Sequence, residues 1–182
     1  MLRLFAALLP DDTTVQQLLD ISDGIDGARW IHPENFHLTM RFIGSVNEDR
    51  ADELKAVLST ISAPPINVSI HGVGTFPELP TKYPLNVLWT GVEETEEMRD
   101  LAAAIDKHVV MTGSKPEERP FHAHITVARI KFADRGDVVS WLDEHDDLEL
   151  PGFTARKFHL MESFPGPMGV EYRELASYPL RS

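Results

Sequence analysis

Apolar positions along this chain follow two periods. Short runs alternate apolar and polar residues, as half-buried strands do, and longer runs repeat apolar residues every three to four positions, as amphipathic helices do. Arg3 to Leu9 reads as a strand buried on both faces. Asp12 or Thr13 then caps a helix to about Ile21, with Val15, Leu18 and Leu19 on its apolar side. Gly24 and Gly27 mark a turn, and Arg29 to Ile31 forms a short strand. A strand over Phe36 to Ile43 closes at Gly44. Asn47 caps a helix to about Ile61, which Pro64-Pro65 ends. A strand over Val68 to Phe76 and a proline-rich loop from Pro77 to Pro84 follow.

The second half repeats this order. A strand spans Leu85 to Thr90, a helix Thr95 to Val110, and a polar loop Lys115 to Pro120. Phe121 to Ile130 is a strand and Phe132 to His145 a helix. Two last strands, Phe153 to Met161 and Val170 to Pro179, flank a loop containing Pro165-Gly166-Pro167. The order strand, helix, strand, helix, strand thus occurs twice. It predicts an α+β fold of two pseudo-related lobes within one domain over residues 1–182, rather than a doubly wound parallel sheet.

The tripeptide His-x-Thr stands in the middle strand of each half, as His37-Leu38-Thr39-Met40 and His124-Ile125-Thr126-Val127. On a strand, residues i and i+2 share a face. Each copy therefore sets an imidazole beside a hydroxyl and turns Leu38 and Met40, or Ile125 and Val127, into a core. One copy in a chain of this length is unremarkable. Two copies with the same apolar pattern in opposite halves point to one site built from both. Two hydroxyls can hold the oxygens of a phosphate diester while one imidazole takes a proton and the other gives one.

Composition narrows this reading. The chain has 182 residues, is 42% hydrophobic and 25% charged, and lacks cysteine, so it has no disulfide, thiolate nucleophile or cysteine-held zinc. The apolar start, Met1 to Pro10, is short, and Asp11-Asp12 follow it without a small-residue cleavage site. No run is long enough to span a membrane, and a cytoplasmic location is expected. The formal net charge of −12 argues against an extended nucleic-acid surface but leaves room for one local phosphate site. The acidic runs Glu93-Glu94 with Glu96-Glu97, and Asp143-Glu144 with Asp146-Asp147, read as solvated faces.

The residues around the motifs resemble the two-histidine phosphoesterase superfamily, in particular its LigT-like RNA 2′,3′-cyclic phosphodiesterases, also called 2′-5′ RNA ligase proteins. The resemblance rests on Arg3-Leu4-Phe5-Ala6-Ala7-Leu8, Arg29-Trp30-Ile31 and Pro33 through Gly44. It continues through Gly72 to Pro77, Val87-Leu88-Trp89, Arg119 to Arg129 and Tyr172-Arg173-Glu174-Leu175. It implies a bilobal arrangement of antiparallel sheets with outer helices around a central cleft. It also implies opening of a terminal RNA 2′,3′-cyclic phosphate to a 2′-phosphomonoester, with neither metal nor organic cofactor. By the same resemblance His37 is the proton donor to the leaving 3′ oxygen and His124 the base for water, with Thr39 and Thr126 donating to the non-bridging oxygens.

Around these four, Arg129 is the candidate phosphate cation, although its parity is opposite to that of His124, so a bulge or strand end must re-aim it. Arg41 shares parity with His37 and could reach the cleft rim. Trp30, Phe42 and Tyr172 are candidate stacking surfaces for a base, with core packing the competing role for Phe42 and Trp30. His122 shares the face of His124 and could line the cleft mouth. The remaining histidines read as structural or exposed. The expected partners are RNA 3′ ends or small cyclic nucleotides, bound by a monomer. Three other readings stay open: a metal-dependent phosphohydrolase, a nucleotide-binding module without turnover, and an enzyme whose main reaction makes or breaks 2′-5′ bonds. Threonine is a poor metal ligand and neither motif holds a carboxylate, which weighs against the first.

Overall fold

In the computed structural model, which describes residues 1–182, a single antiparallel sheet runs through both lobes. In chain order the elements are β1 (Leu2–Leu8), α1 (Asp12–Asp20), β2 (Arg29–Trp30), β3 (Leu38–Val46), α2 (Glu48–Leu58), β4 (Ile66–Phe76) and β5 (Val87–Val92). Next come α3 (Glu96–Met111), β6 (His124–Arg129), α4 (Arg135–Glu144), β7 (Glu149–Ala155), β8 (Lys157–Gly166) and β9 (Gly169–Pro179). A 3-10 turn, Pro33–Asn35, precedes β3. The four α-helices are N-capped by Asp11, Asn47, Thr95 and Asp134, whose side chains accept from the third backbone N–H beyond.

The strand order is β7-β4-β5-β6-β3-β1-β8-β9, with β2 also on the edge of β6. This order corrects the picture of two lobes drawn from two sequence halves. The first half's last strand, β4, pairs with β5 of the second half, and β8 of the second half pairs with β1. Each lobe therefore contains strands from both halves. The lobes meet where β6 and β3 share one ladder pair, Leu38 with Ile125.

The core lies on the helix side of the curled sheet. There, 37 buried residues form one cluster, among them Leu4, Ala6, Leu8, Leu38, Leu88, Ile125 and Val127. β1 alternates cleanly, so Phe5 and Ala7 face the other way and pack with Met161 in a separate three-residue cluster on the concave face. Trp141 of α4 donates its Nε1–H to the Ile21 carbonyl (3.1 Å) and so joins α4 to the end of α1.

One strand expected over Phe153 to Met161 is two, β7 and β8, breaking at Arg156. The motif strands also start later than expected, at Leu38 and His124, and α4 starts at Arg135. Pro151-Gly152 disguised β7, because that pair reads as a turn. β7 is an edge strand, where a missing N–H is tolerated. Gly152, at φ +74°, forms the bulge where three β7 steps match two in β4. A Cβ at Gly152 would lie 1.7 Å from the Val68 carbonyl oxygen. Gly152→Ala is therefore expected to destabilise the fold by at least about 2 kcal/mol, read as a lower urea midpoint at unchanged slope.

Candidate active site

The Leu38–Ile125 pair fixes the geometry of the site. In an antiparallel ladder this register sets His37 level with Thr126 and Thr39 level with His124. Each imidazole thus neighbours the other motif's hydroxyl across the seam. The two segments have the same burial sequence over six residues: half-buried His, buried Leu38 or Ile125, half-buried Thr, two buried residues, then an exposed one.

Two successive buried positions break the period of two, and the register shows why. β1 pairs Ala7 with Thr39 but Ala6 with Arg41, so Met40 is an extra residue in β3. β5 pairs Trp89 with Thr126 but Leu88 with Ala128, so Val127 is an extra residue in β6. Both motifs are followed by a bulge at the same position, and the bulge reverses the parity of the residues that come next, up to a second extra residue at Ile43 in β3. Arg129 turns to the cleft face, the re-aiming its position required. Arg41 turns away from the cleft, contrary to its expected place at the rim. It is 9% exposed, pairs with Asp106 of α3 (2.6 Å), and donates to the Phe42 and Lys115 carbonyls. Phe42, for which core packing was the competing role, is instead 53% exposed on the cleft side, with its ring 6.4 Å from that of Phe5. Trp30 pairs with buried Ala128 and packs against Trp141 with ring centroids 6.2 Å apart, so it belongs to the core side.

Both imidazoles are held in the same way. His37 Nδ1 lies 2.8 Å from the Asn35 carbonyl, and His124 Nδ1 lies 2.8 Å from the His122 carbonyl. A carbonyl only accepts, so each Nδ1 carries its hydrogen and each Nε2 is left for chemistry. Asn35, which holds His37, is itself tied by its side-chain N–H to the Val170 carbonyl (3.1 Å) near the β8–β9 turn.

Rings enclose both histidines. Phe5 (4.9 Å) and Tyr172 (5.1 Å, edge-on) flank His37. Phe76 (4.9 Å, edge-on), His122 (5.6 Å) and Trp89 (6.3 Å) surround His124. Burial lowers the His37 pKa from 6.5 to about 4, with His124 and Arg129 adding to the effect. Burial also lowers His124, helped by the charges of His122 and Arg129. Burial raises the Tyr172 phenol, and Arg129 and Arg3 oppose that rise. With no anion present both imidazoles are driven neutral beside a fixed guanidinium, so the site favours an incoming negative charge. The donor set is two Nε2 atoms and two hydroxyls beside Arg129, without a carboxylate, which suits an anion better than a divalent cation.

Several residues at the site had no role assigned from the sequence, although most of them lie in the segments that carry the resemblance. Phe5, Phe76 and Trp89 carry no motif of their own. Trp89 needs Gly74 opposite it, where a Cβ would lie 2.3 Å from the indole. Glu94, assigned to a solvated acidic run, accepts the Ala123 N–H (2.9 Å) and so anchors the approach to His124. Arg29 pairs directly with Arg129 across β2 and β6. Like charges set opposite each other cost stability unless an anion joins them.

A cleft of this kind, with two inward imidazole–hydroxyl pairs related by a pseudo-twofold, defines a phosphoesterase-like site. The family profile described as LigT like Phosphoesterase matches residues 8–89 and 91–172, and the chain belongs to that family. An RNA 2′,3′-cyclic phosphodiesterase of Archaeoglobus fulgidus is 30% identical over 177 residues, covering 96% of this chain and 98% of that protein. An Aeropyrum pernix protein of the same name is 33% identical over 147 residues, 80% of this chain and 82% of its own. Among solved structures, TT0787 of Thermus thermophilus superposes with a TM-score of 0.83 at 24% identity, covering 99% of this chain and 98% of that one. E. coli LigT complexed with 3′-AMP superposes at 0.78 and 20% identity, covering 100% and 99%.

The lowered His37 pKa gives a stability prediction. Unfolded, His37 titrates near 6.5; folded, near 4. Above pH 6.5 both states hold it neutral and its contribution is complete. As pH falls from 6.5 to 4 only the unfolded chain takes up the proton, and stability drops by about 3 kcal/mol. His37→Gln should lose less stability than the parent between pH 7 and pH 4, measured by urea unfolding. Equal losses would mean that His37 does not titrate as its burial requires.

Proposed function

We propose that the chain hydrolyses terminal RNA 2′,3′-cyclic phosphates to 2′-phosphomonoesters by acid and base catalysis from two histidines, without a metal. The observation that carries this is the seam register, which interleaves two Nε2 atoms and two hydroxyls next to Arg129. The names of the Archaeoglobus and Aeropyrum relatives support the substrate class.

Water attacks phosphorus opposite the 3′ oxygen. A phosphorus–oxygen bond to water forms as the bond to the 3′ oxygen breaks. His124 Nε2 takes the water proton and His37 Nε2–H gives one to the departing oxygen. Thr39, Thr126 and Arg129 hold the non-bridging oxygens as charge builds on them. Of the two imidazoles, His124 is the less enclosed, which suits the one that must meet water. His37 is neutral in the empty cleft and acquires its proton when the phosphate anion enters, because a nearby negative charge favours the imidazolium. Exposed Phe42, the pseudo-symmetric counterpart of Arg129, offers a ring to the terminal base. Tyr172, packed edge-on against His37, holds that imidazole in place.

Activity on a cyclic-phosphate-ended oligonucleotide should persist in excess EDTA and yield the 2′-phosphate. Loss in EDTA with recovery on adding a divalent ion would overturn the metal-free mechanism, and a 3′-phosphate product would overturn the leaving-group assignment. A 2′-5′ joined product in place of hydrolysis would move the main reaction to ligation. His37→Ala and His124→Ala should each lower kcat by about 10²–10⁴, with a much smaller effect on binding. Their combination should fall well short of the product of the two losses. Thr39→Val and Thr126→Val should each cost less than the histidine changes.

The pH dependence carries the sign of the burial. The profile of kcat/KM reports the free enzyme, so its acidic limb should lie near 4 and its basic limb below 6.5. The profile of kcat reports the complex, in which the anion raises both imidazoles, so it should sit at higher pH. A rate that climbs through the alkaline range with no basic limb would rule out a protonated histidine donor.

A further inference from the structure

On the helix side of β3, facing away from the cleft, a cavity of about 410 Å³ opens between β3, the start of α2 and the loop after α3. Arg41, Arg50, Lys115, Ser45, Ser114 and Glu117 line it. Three cations and one carboxylate meet there, in a chain whose formal net charge is −12. Arg41 is compensated by Asp106 and Glu117, and Glu117 also pairs with Arg119. Arg50 and Lys115 take part in none of the protein's ion pairs.

Arg50 is only partly satisfied by the protein. Its Nη2 donates to Ser114 Oγ at 2.6 Å, which holds the guanidinium at the cavity wall. Its Nε is buried with no partner, one of only two such side-chain atoms in the protein. Burying an N–H unpaired is costly, and so is setting uncompensated cations side by side. α2 starts at Glu48, beside this cavity, but its amino end is capped by Asn47 and carries Glu48 and Asp49, so the positive charge at the cavity is that of the side chains. Fixed positive charge, two hydroxyls and a concavity of ligand size together describe a site that takes its counter-charge from outside the protein.

We infer that this cavity is a second phosphate-binding site, distinct from the cleft, in which Arg50 and Lys115 grip the phosphate and Ser45 and Ser114 donate to it. The phosphate could belong to a free phosphorylated small molecule or to the backbone of an RNA held in the cleft. The neighbouring groove, about 320 Å³, shares Ser45 and Arg50 but carries Asp49 and Glu53. A strand continuing that way would bring further phosphates against two carboxylates. A small molecule with one phosphorylated end and a neutral or cationic remainder meets no such repulsion, and it is the occupant the charges favour.

Binding is testable without turnover, by amide NMR on the labelled full chain titrated with inorganic pyrophosphate. The amides of Ser45, Arg50, Ser114 and Lys115 should shift saturably, on an isotherm separate from that of His37 and His124. Combining Arg50→Gln with Lys115→Gln should weaken the first isotherm by about tenfold or more, since each change removes a charge-assisted contact, and leave the second in place. The retained cleft isotherm shows that the variant is folded. No saturable shift at the four amides at millimolar pyrophosphate, or an isotherm unchanged in the variant, would overturn the inference. The source of the phosphate follows from KM in the same variant. A rise for a cyclic-phosphate-ended oligonucleotide, with none for a cyclic mononucleotide, assigns the site to RNA backbone. No change for either, with the pyrophosphate isotherm present in the parent, assigns it to a small molecule. Failure of the proposed hydrolysis would leave the titration readable.

Discussion

One ladder pair between two buried side chains, Leu38 and Ile125, sets everything at the centre of this molecule. It is the only place where β3 and β6 are in register, and it joins two half-sheets that otherwise diverge. Both side chains are wholly buried in the common core. A slip of one residue would carry either His-x-Thr face into that core and expose its apolar partners, so the register is held by burial rather than by many hydrogen bonds. The cleft, the interleaving of imidazoles with hydroxyls, and the pseudo-twofold all follow from this pair.

The paired bulges at Met40 and Val127 add a second layer of control. In each motif strand they allow two consecutive side chains into the core and then turn the next one back to the cleft. The same device delivers different chemistry on the two sides: Phe42 from β3 and Arg129 from β6. The site is thus symmetric in its imidazole and hydroxyl groups and asymmetric in what flanks them. The bulge also gives buried Arg41 its task, which is to bind β3 to α3 and to the loop leading towards His124.

Electrostatics and packing act together at the site. Aromatic rings and burial strip part of the water from both imidazoles, and the nearby guanidinium makes their protonation costlier still. An anion entering the cleft offsets Arg129 and favours an imidazolium at the same time. In the proposed reaction, substrate charge would drive the protonation change that the chemistry needs, while burial holds the histidines of the free protein in their neutral form.

Much of this was legible in the sequence because it depends on local spacing. Period-two alternation put each histidine beside its threonine and turned Leu38, Met40, Ile125 and Val127 inward, as the burial of all four shows. The cap at Asn47 marked the start of one helix, and the repeated element order indicated the α+β class. What the sequence did not disclose depends on partners far away in the chain. The bulges exist only relative to β1 and β5, so the turns of Arg41 and Phe42 could not be read from β3 alone. The exchange of β4 and β8 between the lobes is a property of strand order, to which local patterning is blind. β7 was hidden because Pro151-Gly152 is a turn in most settings and a bulge only on a strand edge paired with β4. The residue types fixed which faces could be buried. Only the closing of the sheet decided which faces meet, because pairing register is settled by the whole core at once.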